Sequence, residues 1–347
     1  MRWRALLFCI GVMGLTGCQE EEQPTPILSP RVSTLGATEI THNSALVGGE
    51  ILDPGTEAIT QRGVCFREML SDSQSEFQNI AINIDTTVGN RVVLATSEEA
   101  IFKIVIDNLN SNKTYALRAF AKNDVGIAYG YKIKFTTGFE TITDIDGNVY
   151  RILKIGDQTW TIDNYNATHF RDGTPIPIRT EDSYWVQSAP QEPAMCWYDN
   201  DRETYENDYG ALYNWYAASH PLIAPEGWRV PTKEDYLKLH LYLRGGDQSI
   251  QTGGKMKMVG YDFWLEPNSG ATNSSGFSAK GAGARGINNV TNELEFLELK
   301  KVAYFHCYDD YFEYIHLPAL VYNLPSFVTF GTANKGNGYS IRLIKID

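Results

Sequence analysis

Cysteine is scarce in this sequence, which has only five in 347 residues. Two of the five lie in the N-terminal region, so Cys65, Cys196 and Cys307 are the cysteines left for the rest of the chain. Three thiols form at most one intrachain disulfide, and an oxidising compartment permits a bond between Cys196 and Cys307. The sequence has no Cys-x-x-Cys pair, which argues against a zinc site built on paired thiolates.

Basic clusters are missing as well. The chain has 30 Lys and Arg against 42 Asp and Glu, which gives a formal net charge of −12. An acidic balance without a basic cluster argues against nucleic acid or anionic lipid as the main partner. The six histidines show no His-x-x-x-His spacing, and neither paired catalytic carboxylates nor a nucleophilic triad can be placed. We therefore expect a protein that is not an enzyme and has no cofactor; calcium remains open, but no motif supports it.

Long apolar runs are absent beyond the N-terminus. Two arginines precede an apolar run over residues 5–15, which is too short to cross a bilayer core of roughly 30 Å. The run ends in Leu15-Thr16-Gly17-Cys18, which resembles the lipobox of bacterial lipoproteins. The resemblance implies that residues 1–17 are a signal peptide and that Cys18 is lipidated. An ordinary secretory signal with a chance cysteine is the alternative.

Residues 18–30 form an acidic, proline-containing tether that cannot bury apolar area, so we expect it to be extended. Three glutamates follow Cys18 closely and resemble the surface-export signal of Bacteroidetes lipoproteins. This resemblance implies a lipid anchor in the outer membrane, with the protein facing the cell exterior. A charged linker facing the periplasm is the alternative.

Short strands separated by Gly, Asn and Asp turns predict a β-sandwich over residues 31–137. Leu109 and Tyr115, followed by alternating Leu117, Ala119 and Ala121, resemble the fibronectin type III pattern. In that pattern the leucine packs in the core and the tyrosine hydroxyl bonds back to the backbone as a tyrosine corner. The absence of tryptophan from this region departs from many such modules, which are usually spacers.

A second domain is predicted over residues 143–347, beginning with a β-hairpin over 144–162. Apolar and polar residues alternate along its strands, and Gly156-Asp157 makes the turn. Asp144, Asp146 and Asn148 are spaced like the start of an EF-hand calcium loop. The twelfth loop position is Ile155 rather than Glu, so we favour a solvated turn over a calcium site.

The stretch 210–243 predicts a helix, a tight loop and a second helix. Leu212, Trp215 and Tyr216 would share one face of the first helix. Thr232 would cap the second helix, with Asp235 as the acidic partner of a capping box.

Seven blocks of the sequence match, in order, the pattern of the Fibrobacter succinogenes major paralogous domain family. These blocks are Asp146–Tyr150, Ile155–Trp160, Asp172–Pro177, Tyr209–Ala217, Pro225–Thr232, Gly270–Phe277 and Gly338–Arg342. The resemblance covers about 143–347 and implies an α+β, C-type-lectin-like fold, in which two helices pack on twisted antiparallel strands. It implies adhesion or surface assembly as the usual role. Family members often have cysteines where this chain has Ala224 and Leu343, so any bridge there would be replaced by apolar packing.

The segment 304–314 is the best candidate for a binding surface. Tyrosine offers a flat apolar face and a hydroxyl, which suit glycan or peptide partners. The candidate residues are Tyr304, Tyr308, Asp309, Asp310, Tyr311 and Tyr314. The alternative is that about half of the aromatic rings in this segment fill the core.

Two further motifs resemble functional sites, but each has a simpler interpretation. Glu266-Pro267-Asn268 resembles the sugar-binding tripeptide of calcium-dependent lectins, while Trp197–Asp201 resembles their calcium strand. Their order along the chain is reversed, so we favour a loop turn. His306 and Cys307 are neighbours on a predicted strand and would point to opposite faces, which argues against a base–nucleophile pair.

The sequence thus predicts a multi-domain chain, an all-β fibronectin type III-like sandwich followed by an α+β C-type-lectin-like domain. Two functions fit it. The first is a non-enzymatic surface lipoprotein that binds a glycan or a protein through its C-terminal domain, with the sandwich as a spacer. The second is a structural or assembly component of a surface filament or outer-membrane complex, with a protein partner and no glycan.

Overall fold

The structure is a computed structural model that describes residues 27–82, 90–186, 190–245, 251–288, 291–308 and 314–346. The predicted signal peptide and Cys18 lie outside the described residues. No helix in the described part of the chain is long and apolar enough to cross a membrane.

Eight strands and one short helix lie in the described residues of the N-terminal part. They are β1 (Arg31–Thr38), β2 (Ala45–Asp53), β3 (Gln61–Glu68), α1 (Gln74–Asn79), β4 (Arg91–Leu94), β5 (Ile101–Ile106), β6 (Thr114–Lys122), β7 (Ile127–Tyr129) and β8 (Ile133–Thr136). One sheet has the order β1-β2-β5, and the other has the order β4-β3-β6-β7, with β8 also paired to β6. All these pairings are antiparallel.

The two sheets enclose one core, which confirms the predicted β-sandwich. Val47 and Phe102 come from the first sheet, and Val64 and Leu117 come from the second; all four are buried in the same cluster. Strand β5 alternates as a half-buried strand should, with its even-numbered residues facing inward. Cys65 is a buried packing residue.

The predicted tyrosine corner is also present. The Tyr115 hydroxyl accepts a hydrogen bond of 2.8 Å from the Asn110 backbone N–H, five residues upstream. Its ring packs against Phe66 and Phe135 in the core. The interaction fixes the path of the chain between β5 and β6, because a buried hydroxyl and a turn N–H satisfy each other.

The C-terminal part is also mainly β, with four helices among the described residues. Its strands are β9 (Glu140–Thr143), β10 (Val149–Ile155), β11 (Gln158–Thr161), β12 (Met195–Cys196), β13 (Leu212–Tyr213), β14 (Trp228–Arg229), β15 (Ala284–Ile287), β16 (Leu294–Leu297), β17 (Val302–Tyr304), β18 (Tyr314–Val321), β19 (Phe327–Asn334) and β20 (Ile344–Lys345). Its helices are α2 (Arg202–Tyr209), α3 (Trp215–Ala218), α4 (Lys233–Arg244) and α5 (Thr252–Met256).

The largest sheet of this part has the order β14-β20-β11-β10-β9. Strand β20, at the end of the chain, therefore lies between β14 and β11. The remaining strands form the sheets β17-β18-β19, β12-β13 and β15-β16. Long irregular segments connect these elements.

The predicted hairpin is confirmed as β10 and β11, with register pairs from Ile152–Thr161 to Ile155–Gln158. The turn before it is held by its own acidic side chains. Asp144 accepts bonds from the backbone N–H groups of Asp146 and Asn148 and from the Tyr150 hydroxyl. Protein donors thus occupy the Asp144 carboxylate, as the turn interpretation requires.

The helix prediction for 210–243 is half right. Helix α4 has the expected capping box, in which the Thr232 side chain accepts from the Asp235 N–H and Asp235 accepts from the Thr232 N–H. The first helix is wrong at its start, because Leu212 pairs with Cys196 in a two-stranded sheet. Helix α3 begins only after Asn214, whose side chain caps it. Leu212 therefore shares no helix face with Trp215.

Cys196 and Cys307 are buried in different hydrophobic clusters and form no disulfide with each other. Ala224 and Leu343, which stand at the positions of family cysteines, are buried together in one cluster. The expectation of apolar packing at that place is confirmed.

A fully buried lysine ties α5 to two distant loops. The Lys257 ammonium donates to the carbonyl oxygens of Ser269, Val321 and Leu324 at 3.0, 2.9 and 2.9 Å. The Trp264 ring lies 5.5 Å from the ammonium nitrogen. Burial lowers the pKa of Lys257 to about 8. Its three donors are matched by main-chain acceptors, so the lysine satisfies carbonyls that water cannot reach.

Replacing Lys257 by Met should destabilise the C-terminal part by about 3 kcal/mol, because the buried carbonyls lose a charged donor while the apolar stem is retained. All tryptophans except Trp3 lie beyond residue 143, so tryptophan fluorescence in urea reports on this part alone. Lys238→Met, on the exposed side of α4, is the matched control and should change the unfolding free energy by less than about 0.5 kcal/mol. Equal effects of the two variants would contradict a role for the carbonyl contacts.

His306 is the second buried polar group with a clear consequence. It is 1% exposed, its Nε2 donates to the Tyr213 carbonyl oxygen, and its ring packs on Tyr339. Cys307 packs in a different cluster, so the two neighbours do point to opposite sides. Burial lowers the pKa of His306 to about 4.

Stability should therefore fall as the pH drops from about 6.5 toward 4. In that window the unfolded chain binds a proton that folded His306 does not, so protonation favours unfolding. Between pH 7.5 and 5 this single group should account for about 2 kcal/mol of the loss. His306→Gln, which keeps a donor for Tyr213, should remove that part of the pH dependence in urea titrations at both pH values. An unchanged pH dependence in the variant would refute this assignment.

Candidate binding cleft

A polar cleft of about 340 Å³ opens beside the β10–β11 hairpin. Five separate parts of the chain form it: the hairpin, the segment that follows β11, the C-terminal end of α2, and two distant loops that each contribute one cationic side chain. The lining residues are Asn148, Val149, Tyr150, Arg151, Ile162, Asp163, Asn164, Asn166, Glu206, Asn207, Asp208, Gly210, Lys280 and Arg342.

Arg342 forms the buried side of the cleft. Its guanidinium donates to the side-chain oxygen of Asn164 at 2.6 Å and to the carbonyl oxygens of Thr161 and Phe277 at 3.1 and 3.0 Å. It also lies over the Phe277 ring, 4.8 Å from the centroid. Burial lowers the pKa of Arg342 to about 10. The hydrogen-bond partners of this cation are neutral, and the nearby Asp163 carboxylate acts on it through space without bonding to it.

Arg151 and Asp163 form the next part of the wall. The carboxylate of Asp163 accepts three side-chain bonds from Arg151 and one from its backbone N–H. Burial acts to raise the pKa of Asp163, but these bonds outweigh it and hold that pKa below its usual value. The two charges therefore compensate each other.

Lys280 faces them with a side chain that is only 16% exposed. Its ammonium lies 4.1 Å from the centroid of the Phe263 ring and 3.7 Å from a carboxylate oxygen of Asp208. No acceptor in the described part of the chain lies within hydrogen-bond distance of the ammonium. Burial lowers the pKa of Lys280. Its three donors are therefore available to a ligand.

The rim comes from the end of α2. Asn207 and Asp208 are exposed there, while the neighbouring Glu206 is bonded to Arg202 one turn earlier. Asn166, on the other side, accepts a bond of 2.8 Å from the Trp197 indole through its side-chain oxygen, which directs its amide nitrogen away from that bond. Val149 adds an apolar side chain that is 60% exposed. Donors, acceptors and one apolar contact thus meet in one cleft, an arrangement that binds polar ligands.

Two of the six candidate residues at 304–314, Tyr304 and Tyr308, have described side chains. Tyr304 is half-buried, packs on Tyr339 and donates to Glu298, so it serves the packing of β17. Tyr308 is 42% exposed and remains a candidate. Asp309, Asp310 and Tyr311 lie outside the described residues, as does the side chain of Tyr314.

The lectin-like tripeptide forms a loop turn, as favoured from the sequence. Asn268 is buried, and its amide donates to the carbonyl oxygens of Met258 and Gly260. Trp197–Asp201 contains a single 3-10 turn that leads into α2. In the described part of the chain, no three His, Cys, Asp or Glu side chains are grouped so as to hold a metal ion.

Sequence reasoning missed this cleft. Its residues are spread over nearly 200 positions, and no local motif connects them. Arg342 and the 146–150 block were part of the family pattern, which is the signal that could have indicated their proximity. Lys280, Asn207 and Asp208 lie in none of the seven blocks and in no motif that indicates a site.

Comparison with known proteins gives one family and several structures. The family model for the Fibrobacter succinogenes major domain matches residues 153–345. No curated protein matches the chain.

The similar structures include the sensor domain of the anti-sigma factor RsgI4 from Pseudobacteroides cellulosolvens, at 14% identity and a TM-score of 0.22, covering 33% of this chain and 98% of that one. They also include the third fibronectin III domain of human KIAA0343 protein, at 14% identity and a TM-score of 0.22, covering 37% of this chain and 94% of that one.

The family match covers more than half of the 347 residues and agrees with the seven blocks. The chain therefore belongs to the Fibrobacter succinogenes major domain family.

Proposed function

We propose that this chain is a non-enzymatic, lipid-anchored protein of the cell surface that binds a glycan in the cleft beside the β10–β11 hairpin. The sandwich acts as a spacer between the anchor and the binding part. The observation that carries this proposal is the cleft itself, in which polar groups of Lys280 and of the rim of α2 line one space, and Lys280 and Asp208 lie too far apart to form a hydrogen bond with each other.

The lining matches the chemistry of a sugar. Each sugar hydroxyl both donates and accepts a hydrogen bond, so a sugar site needs both kinds of partner close together. Lys280 supplies donors, Asp208 supplies acceptors, and Asn207 supplies both. The exposed Val149 side chain provides an apolar contact for the C–H face of a ring.

A C-type-lectin-like fold for the C-terminal part belongs to this proposal. Its support is the family resemblance together with the meeting of the chain end with the hairpin, since β20 pairs with β11. Helix α4 contributes Tyr236 and Leu239 to the core that lies against Trp160 of β11. The cleft lies beside the hairpin of this core, and no step of the proposal requires a metal.

Assembly with a protein partner is the second candidate. The observation that favours it is a loop with three exposed apolar side chains, Val259, Tyr261 and Leu265. Apolar groups exposed together are typical of protein contacts. In this case the cleft would have no glycan ligand.

The anchor is tested in intact cells. Cys18→Ala should release the protein from the membrane fraction, because the acyl chains implied at Cys18 could no longer be attached to its sulfur. Protease added to intact cells should digest the parent protein if it faces the exterior. A protein that is digested only after lysis would instead support the periplasmic alternative.

Glycan binding is tested on an array with residues 19–347, with and without calcium. Asn207→Ala should weaken binding about fivefold, because one exposed hydrogen-bonding side chain contributes about 1 kcal/mol. Asn323→Ala, which removes an exposed amide from the turn after β18, is the matched control and should bind as the parent does. An array without signal in either condition would reject the glycan and favour assembly.

A further inference from the structure

We infer that the ligand of the cleft is an acidic saccharide, and that Lys280 binds its anionic group and so sets the specificity. The inference rests on the proposed function, because it concerns the same cleft. It adds the class of sugar and the residue that selects it.

The charges around the cleft do not cancel. Arg151 is neutralised by Asp163, and Arg202 is neutralised by Glu206. Arg342 has neutral hydrogen-bond partners, namely Asn164 and main-chain carbonyls. Two cations, Arg342 and Lys280, thus face one carboxylate that is not already paired.

That carboxylate belongs to Asp208, and it is a weak partner for Lys280. Its side chain is 56% exposed, and the separation of 3.7 Å is too long for a hydrogen bond. Water screens such an exposed charge, so it compensates a partly buried ammonium poorly. The walls of the cleft therefore keep an excess of positive charge.

Lys280 is also held in place for an incoming anion. The ammonium nitrogen lies 4.1 Å from the centroid of the Phe263 ring, and the side chain is only 16% exposed. Burial also lowers the pKa of Lys280. An anion in the cleft would solvate the ammonium with charge-assisted hydrogen bonds. The carboxylate of a uronic or sialic acid can accept two of the three donors, while Asn207 and Asn166 lie nearby for ring hydroxyls.

The excess of positive charge in the cleft contrasts with the negative charge of the whole protein. The full chain carries a net charge of −12, so a general attraction for anions is not expected. An anion would bind here because of local geometry, and the single lysine should decide between charged and neutral forms of the same sugar.

The experiment is calorimetric titration of residues 19–347 with galacturonate, glucuronate and sialate oligosaccharides, each beside its neutral methyl ester, and with a sulfated oligosaccharide. At least one acidic sugar should bind tenfold or more tightly than its ester. Lys280→Met should remove that preference, so that the acid and its ester bind the variant with affinities within about twofold of each other. Lys280→Arg should keep the preference, and Asp208→Asn should strengthen it severalfold by removing the competing carboxylate.

Lys301→Met is the matched control, since it removes an exposed lysine outside the cleft, and it should bind as the parent does. Circular dichroism of each variant checks that it is folded. Equal affinity for acid and ester, or a preference that survives Lys280→Met, would overturn this inference while leaving glycan binding intact. If only the sulfated sugar binds, the anionic group is a sulfate, and the inference that Lys280 binds a sugar carboxylate is overturned. The absence of measurable binding to every charged and neutral sugar would overturn the proposed function as well.

Discussion

The burial of the Arg342 guanidinium is the interaction on which the C-terminal part depends. Placing a cation where water cannot reach it is costly unless several dipoles replace the water. Arg342 meets that requirement with acceptors from the end of β11, from Asn164 and from the segment 277–278. These acceptors are far apart in the sequence, so the arginine can be solvated only when the hairpin, the loops and the end of the chain are assembled together.

The same contact explains why fold and candidate site are linked. The side-chain oxygen of Asn164 accepts a hydrogen bond from Arg342, and its amide nitrogen donates one to the Tyr209 carbonyl oxygen at the end of α2. Ser278, which also accepts from Arg342, lies two residues before Lys280. The residues that solvate the buried charge thus position both sides of the cleft. The rim can therefore vary without loss of the core, whereas Arg342 cannot be exchanged without disturbing the walls.

Interactions between residues close in the sequence made much of the fold predictable. The alternation of apolar and polar residues predicted the strands of the sandwich. The tyrosine corner and the capping box of α4 each depend on residues within five positions of one another. The assignment of Leu212 to a helix failed because its pairing with Cys196 is a contact between distant segments. Helix α2 was missed because it is short and almost wholly polar, with Tyr209 as its one buried side chain.

The candidate site was harder to predict for a related reason. An aromatic run such as 304–314 attracts notice because its residues are adjacent, yet adjacency on a strand divides side chains between two faces. Tyr304 accordingly packs against Tyr339. Among the described tyrosines of that run, only Tyr308 is exposed. The cleft has the opposite property, since polar residues from five separate segments converge on one place. Its charge excess arises because the fold needs Arg342 buried and satisfies it with neutral groups. The burial of Arg342, which the fold requires, thereby leaves the cleft with an excess of positive charge that favours an anionic ligand.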